Sequence, residues 1–230
     1  MKRGLFITLE GPEGCGKSTH IRRLAERLIG AGVPVLLTRE PGGTPTGEAI
    51  RRLLQHDCDD AAMAARTEVL LFCASRAQLV KQVIAPALAR GTWVLSDRFA
   101  DSTLAYQGYG RGFAQAPLRA LNAFATGGLA PDLTLLLDIG VAAGLRRVGT
   151  RHARDGGSMD RIERATRAFH ERVRAGFLKL AQAAPQRFVV CRTNRPPLVV
   201  GDEIWQAVCE RCLAAPPGKG IPCARTRRSN

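Results

Sequence analysis

Between a short apolar run, Leu5-Phe6-Ile7-Thr8-Leu9, and a helical pattern beginning near Lys17 lies Gly11-Pro12-Glu13-Gly14-Cys15-Gly16-Lys17-Ser18. No other stretch restricts the fold as strongly. The G-x-x-x-x-G-K-[ST] spacing requires a strand, a tight glycine turn and a helix in that order. Glycines let successive backbone N–H groups point inward as an anion nest. Lys17 can reach the outer phosphates of a nucleotide, the Ser18 hydroxyl can hold Mg²⁺, and the helix start adds partial positive charge. Lysine is scarce here, with 5 among 34 basic residues, so its presence at this position is informative. Gly11 through Thr19 are therefore the expected phosphate-binding residues.

Further along, apolar strand-like runs alternate with helical patterns. Ile21, Leu24, Ala25 and Leu28 mark a helix closed by Gly30-Ala31-Gly32. Residues 33–37, 92–96, 133–137 and 188–191 read as further strands, giving five with the first. Helices are predicted over residues 47–55, 64–90 with a possible break at Pro86, 117–126, 141–148, a stripe carried by Ile162, Phe169, Val173, Phe177 and Leu180, and 202–213. Continuous apolar strands between helices imply a parallel sheet covered on both faces, with ligands at the strands' carboxyl ends. Those ends carry Glu10, then Arg39-Glu40-Pro41-Gly42-Gly43-Thr44, then Asp97-Arg98-Phe99. Asp97 can hold Mg²⁺ through water or orient an acceptor, and Arg98 offers a planar fork for a second phosphate. An ion pair between these two, or with Glu40, is the structural alternative.

The chain of 230 residues, 45% of them hydrophobic, can form one core, and no apolar window is long enough to span a membrane. Seven cysteines without an export signal suggest reduced thiols and a cytoplasmic setting. Cys209-x-x-Cys212 with Cys223 lacks a fourth zinc ligand at suitable spacing. The net charge of +14 is compatible with nucleic acid or with polyphosphate substrates. It concentrates in two places: a tail, residues 214–230, expected to be basic and disordered, and a stretch between Arg146 and Arg161 around Gly156-Gly157. Since the tail is separable from the body, nucleic acid is not the expected partner. One domain over residues 1–213 is expected.

Taken together, the P-loop with Glu13, Thr38-Arg39-Glu40-Pro41-Gly42-Gly43-Thr44, Asp97-Arg98-Phe99-x-x-Ser102 and Ala105-Tyr106-Gln107-Gly108 resemble bacterial thymidylate kinases. Pro131-Asp132-Leu133-Thr134 and Asp160-Arg161-Ile162-Glu163 add to the likeness, which extends over about residues 4–212. The resemblance implies an α/β P-loop NTPase three-layer fold: a five-stranded parallel sheet, helices on both faces and a small lid at about residues 149–160. It also implies phosphorylation of dTMP to dTDP with ATP and Mg²⁺, and a homodimer through helices near residues 64–90. Another nucleoside monophosphate is the alternative acceptor, and a nucleic-acid-binding P-loop ATPase is a more distant reading.

By matching motif positions, Phe72 should stack on thymine and Arg76, four residues later on the same helix face, should bond the base edge. Gln107 should complete base recognition, Tyr106 should lie under the deoxyribose, and Glu13 should face the 3′-hydroxyl. Arg98, with Arg39 and Ser102 nearby, should grip the acceptor phosphate. The P-loop holds no arginine, as some members' loops do. The cation for the migrating phosphoryl is therefore expected from the basic stretch with Arg146, Arg147, Arg151 and Arg154, with Arg151 or Arg154 favoured.

Overall fold

The structure is a computed structural model in which residues 2–55 and 63–213 are described. The expected tail, residues 214–230, and Cys223 lie outside the described residues. Among those described, strands β1 (Phe6–Glu10), β2 (Val35–Arg39), β3 (Trp93–Asp97), β4 (Leu133–Asp138) and β5 (Phe188–Arg192) form one parallel sheet in the order β2-β3-β1-β4-β5. β1 occupies the centre, and all five of its residues are inaccessible to solvent. Because side chains alternate along a strand, Ile7 and Leu9 face one layer while Phe6, Thr8 and Glu10 face the other. The register aligns Leu9 with Asp97 and Arg39 with Asp97, so three strands end beside one another.

One face is covered by α1 (Lys17–Gly30) and α9 (Pro197–Val208), which bury Leu24, Leu28, Val200 and Ile204 against Ile7, Leu9, Leu135 and Leu137. The last helix therefore starts earlier than the expected residue 202, and Pro197, with no N–H to give, stands where the first turn needs none. On the opposite face, α3 (Ala65–Leu79), α6 (Gln115–Thr126) and α8 (Arg167–Ala183) enclose Val69, Leu118, Val173 and Phe177 with Leu136 of β4.

α2 (Pro45–Gln55) packs along α3. α3 does not break at Pro86: it widens into a π turn over Val80–Ile84 and continues as α4 (Ala85–Ala89), with Pro86 in the first turn. The polar stretch after β3, which shows no periodicity in sequence, is helical: α5 (Ala100–Thr103) runs into a second π turn, Leu104–Gly110.

A larger departure concerns α7 (Val141–Asp155), because the predicted helix of residues 141–148 runs on through most of the expected lid loop. Gly156, at φ 68°, takes the left-handed conformation that ends it. The basic residues before Gly156 are thus fixed on a helical surface. Only residues 156–166 connect α7 to α8 outside regular helix.

Candidate active site

At the carboxyl ends of β1, β2 and β3, the elements surround a cleft of about 960 Å³. Its floor is the P-loop. Gly14 sits with φ 70°, and a side chain there would meet the Gly144 carbonyl at 2.1 Å; one on Gly144 would meet the Glu13 carbonyl at 2.4 Å. The loop and α7 therefore touch backbone to backbone. Lys17, only 8% exposed, points its Nζ back at the loop, donating to Gly11 O at 3.2 Å and Pro12 O at 3.1 Å. The ammonium thus lies against the loop's own carbonyls.

Ser18 stands in the first turn of α1 and Asp97 ends β3, and Ser18 Oγ donates to Asp97 Oδ2 at 2.8 Å. This hydroxyl and carboxylate form an oxygen-only donor set of the kind Mg²⁺ takes. Arg98, the next residue, turns the other way. Its φ of 73° is left-handed, a conformation costly for a side chain with a Cβ and retained here by a dense set of bonds. Nη1 donates to Gly11 O at 3.1 Å and Ser102 Oγ at 3.2 Å, and Nη2 to Glu13 Oε1 at 2.6 Å and Tyr106 Oη at 3.0 Å. Asp97 and Arg98 thus do not pair with each other, and Glu40 pairs elsewhere.

Tyr106 Oη donates to Glu13 Oε1 at 2.7 Å. Burial alone would raise the Glu13 pKa, but the Arg98 guanidinium and the Lys17 ammonium outweigh it and hold the carboxyl at about 2. Sequence reasoning gave Glu10 no role beyond its place at a strand end. It receives Phe99 N at 2.8 Å, Ser102 N at 3.2 Å and Ser102 Oγ at 2.6 Å, fixing the turn that presents Arg98. Burial and the nearby Asp101 push its pKa up to about 7.

The far end of the cleft holds Phe72, Thr103 and Gln107. Arg76 does not line it. This side chain is 1% exposed and engages Glu40 at 2.8 Å, Asn122 Oδ1 at 2.6 Å and Thr103 Oγ1 at 3.1 Å, so it meets the cleft through Thr103. Arg39 lines the β2 side and donates to Glu48 Oε1 at 2.8 Å. Arg51, on α2, lines the same wall; sequence offered no signal for it beyond its position one helix after the glycine segment.

Because α7 is helical, Arg147, Arg151 and Arg154 recur every three or four residues and all line the cleft, while Arg146 does not. Arg147 Nη2 donates to Thr193 O at 2.9 Å, bridging α7 to the loop after β5. Arg151 Nη2 donates to the buried Glu163 Oε1 at 2.5 Å, and His152 Nε2 lies 2.8 Å from Glu163 Oε2. Arg154 pairs only with its exposed neighbour Asp155 among the bonds described, at 2.7 Å.

The thymidylate kinase family model matches residues 9–204. A thymidylate kinase of Deinococcus radiodurans is 53% identical over 92% of this chain and 99% of its own length. Those of Pseudomonas fluorescens and Geobacter sulfurreducens are 54% and 52% identical over 84% and 83% of this chain, covering 89% and 90% of theirs.

Proposed function

The chain belongs to the thymidylate kinase family, and from that premise we propose that it transfers the γ-phosphoryl group of ATP to thymidine monophosphate, giving the diphosphate. One observation carries this reading: the P-loop, the Ser18–Asp97 pair, the Arg98–Glu13–Tyr106 cluster and the Phe72–Gln107 end all face a single cleft. Such a cleft has a place for two nucleotides with their phosphates in the middle.

The task is largely electrostatic, since two anions must meet and the charge of a loose transition state must be offset. Lys17 would leave the Gly11 and Pro12 carbonyls for the donor's outer phosphates. Ser18 and Asp97 would hold Mg²⁺, which would neutralise part of the phosphates' charge. Arg98, with Arg39 and Ser102, would grip the acceptor phosphate, and Arg51 adds positive charge beside it. Glu13, ionised at neutral pH, would accept from the 3′-hydroxyl, while Tyr106 would lie beneath the sugar. Phe72 would stack on the base and Gln107 would meet its edge, with Arg76 supporting through Thr103.

Arg151 and Arg154, on the face of α7 that lines the cleft, would stabilise the migrating phosphoryl, and the short segment after Gly156, whose Ser158 and Asp160 line the same cleft, would cover it. Excluding water in this way suppresses hydrolysis of ATP. The proposal includes a homodimer through α3 and α6, where Leu70 and Phe124 are 55% and 88% exposed. A coupled ADP-release assay with ATP, Mg²⁺ and thymidine monophosphate tests the activity directly. Turnover that requires all three supports it; no turnover from folded protein overturns it.

A further inference from the structure

Behind the base-binding end of the cleft, Glu68 of α3 is completely inaccessible to solvent. Three side chains from other parts of the chain donate to its carboxylate. Gln107 Nε2 lies 2.8 Å from Oε1, Arg111 contributes Nε to Oε1 at 2.7 Å and Nη2 to Oε2 at 2.6 Å, and Arg161 Nη2 also donates to Oε2. Burial works to raise the pKa of this carboxyl, yet the hydrogen bonds from Arg111 and Gln107, with the charges of Arg111 and Arg161, bring it below the ordinary glutamate value. Glu68 is therefore an ionised group with lone pairs and no proton to give.

This fixes the direction of the Gln107 amide. Turned over, it would set its carbonyl oxygen against a carboxylate oxygen in a buried site, where such repulsion is poorly screened. The NH₂ must face Glu68, which leaves Gln107 Oε1 for the cleft that this residue lines. No described residue donates to that oxygen. A fixed acceptor here complements a pyrimidine whose ring nitrogen carries a hydrogen, as N3 does in thymine. It opposes cytosine, whose N3 is itself an acceptor.

We propose that Glu68 is a positioning residue that selects the acceptor base, by locking the Gln107 amide with its oxygen toward the cleft. The inference rests on the reading of the cleft as a thymidylate site. Replacing the carboxylate by an amide should reverse the lock. In Glu68→Gln the single side-chain oxygen takes the Oε2 position, claimed by Arg111 Nη2 and Arg161 Nη2; the new NH₂ then stands at the Oε1 position, where it gives up the bond from Arg111 Nε and faces Gln107, whose own NH₂ turns to the base.

The experiment measures kcat/KM for thymidine and deoxycytidine monophosphates with the full chain, comparing wild type, Glu68→Gln, Gln107→Leu and the double variant. Wild type should favour thymidylate, and Glu68→Gln should lower that preference by roughly tenfold to a hundredfold, mainly through KM. The double variant should match Gln107→Leu alone, because Glu68 acts through Gln107. An unchanged preference in Glu68→Gln, or a double variant that loses preference beyond Gln107→Leu, overturns the proposal. Should circular dichroism show Glu68→Gln unfolded, Gln107→Leu carries the test, and its retention of the wild-type preference is equally fatal. Wild type that fails to phosphorylate thymidylate would instead overturn the functional reading, and that is seen without any variant.

Discussion

Lys17 is held on the carbonyls of its own loop, and its ammonium would exchange them for incoming phosphates. Lys17→Ala should lower kcat by about a hundredfold to a thousandfold, the scale of losing one charge-stabilising donor. Equilibrium binding of thymidylate, whose contacts are elsewhere, should change little. Arg151 and Arg154 share the cleft-lining face of α7 but differ in support: a buried carboxylate holds the first at 2.5 Å, and the second has only an exposed neighbour among its described bonds. Steady-state kinetics should therefore show a kcat loss of about a hundredfold for Arg151→Ala, with a smaller loss for Arg154→Ala. Full kcat in both variants would contradict the role given to α7. Glu10 makes a pH prediction. Its folded pKa, about 7, lies above the ordinary 4.5, so the folded state binds more protons over that interval. The stability this adds is present below pH 4.5 and is lost as pH rises through 7. The Tm difference between wild type and Glu10→Gln, which does not titrate, should shift against wild type across this interval and level off above it.

Helix α7 shows at the next scale what sequence reasoning could and could not reach. Gly149, Gly156-Gly157 and dense arginines read as a loop, because glycine weakens a helix interior and like charges repel. One local and one tertiary fact decide otherwise. Gly156 serves as the left-handed end of the helix, and the glycine within the first part, Gly144, is required by contact with the P-loop. Gly144→Ala would place a methyl 2.4 Å from the Glu13 carbonyl, forcing α7 off the loop. We expect a loss of about 1–3 kcal/mol in stability from overpacking, read by denaturant unfolding, together with reduced kcat as the cleft-facing arginines shift. A variant of unchanged stability and kcat would show that the backbone contact is dispensable. By contrast, α1 and the five strands are legible in advance: α1 carries its apolar residues at helical spacing, β1, β3 and β4 are largely buried apolar runs, and the edge strands β2 and β5 keep short apolar runs although they are partly exposed.

For the molecule as a whole, the convergence of strand ends made much of the site readable: Ser18 meets Asp97, and Arg98 meets Glu13 and Tyr106. The remainder depends on contacts between residues far apart in sequence. Arg111 and Arg161 stand 43 and 93 positions from Glu68, and nothing local distinguishes that glutamate from one on a solvated helix face. Arg76 is similar, since helical spacing pairs it with Phe72 but cannot show that Glu40 and Asn122 draw it behind the wall. The exposed Phe124 and Leu70 predict association, and sedimentation should find a dimer that Phe124→Asp dissociates; a wild-type monomer at assay concentrations would remove α3 and α6 as an interface. The most direct test of the thymidylate reading is kcat/KM across thymidine, deoxyuridine, deoxycytidine and deoxyguanosine monophosphates with ATP and Mg²⁺. Thymidine monophosphate should give the highest value, and a higher value for any of the others would contradict the assignment of the acceptor site.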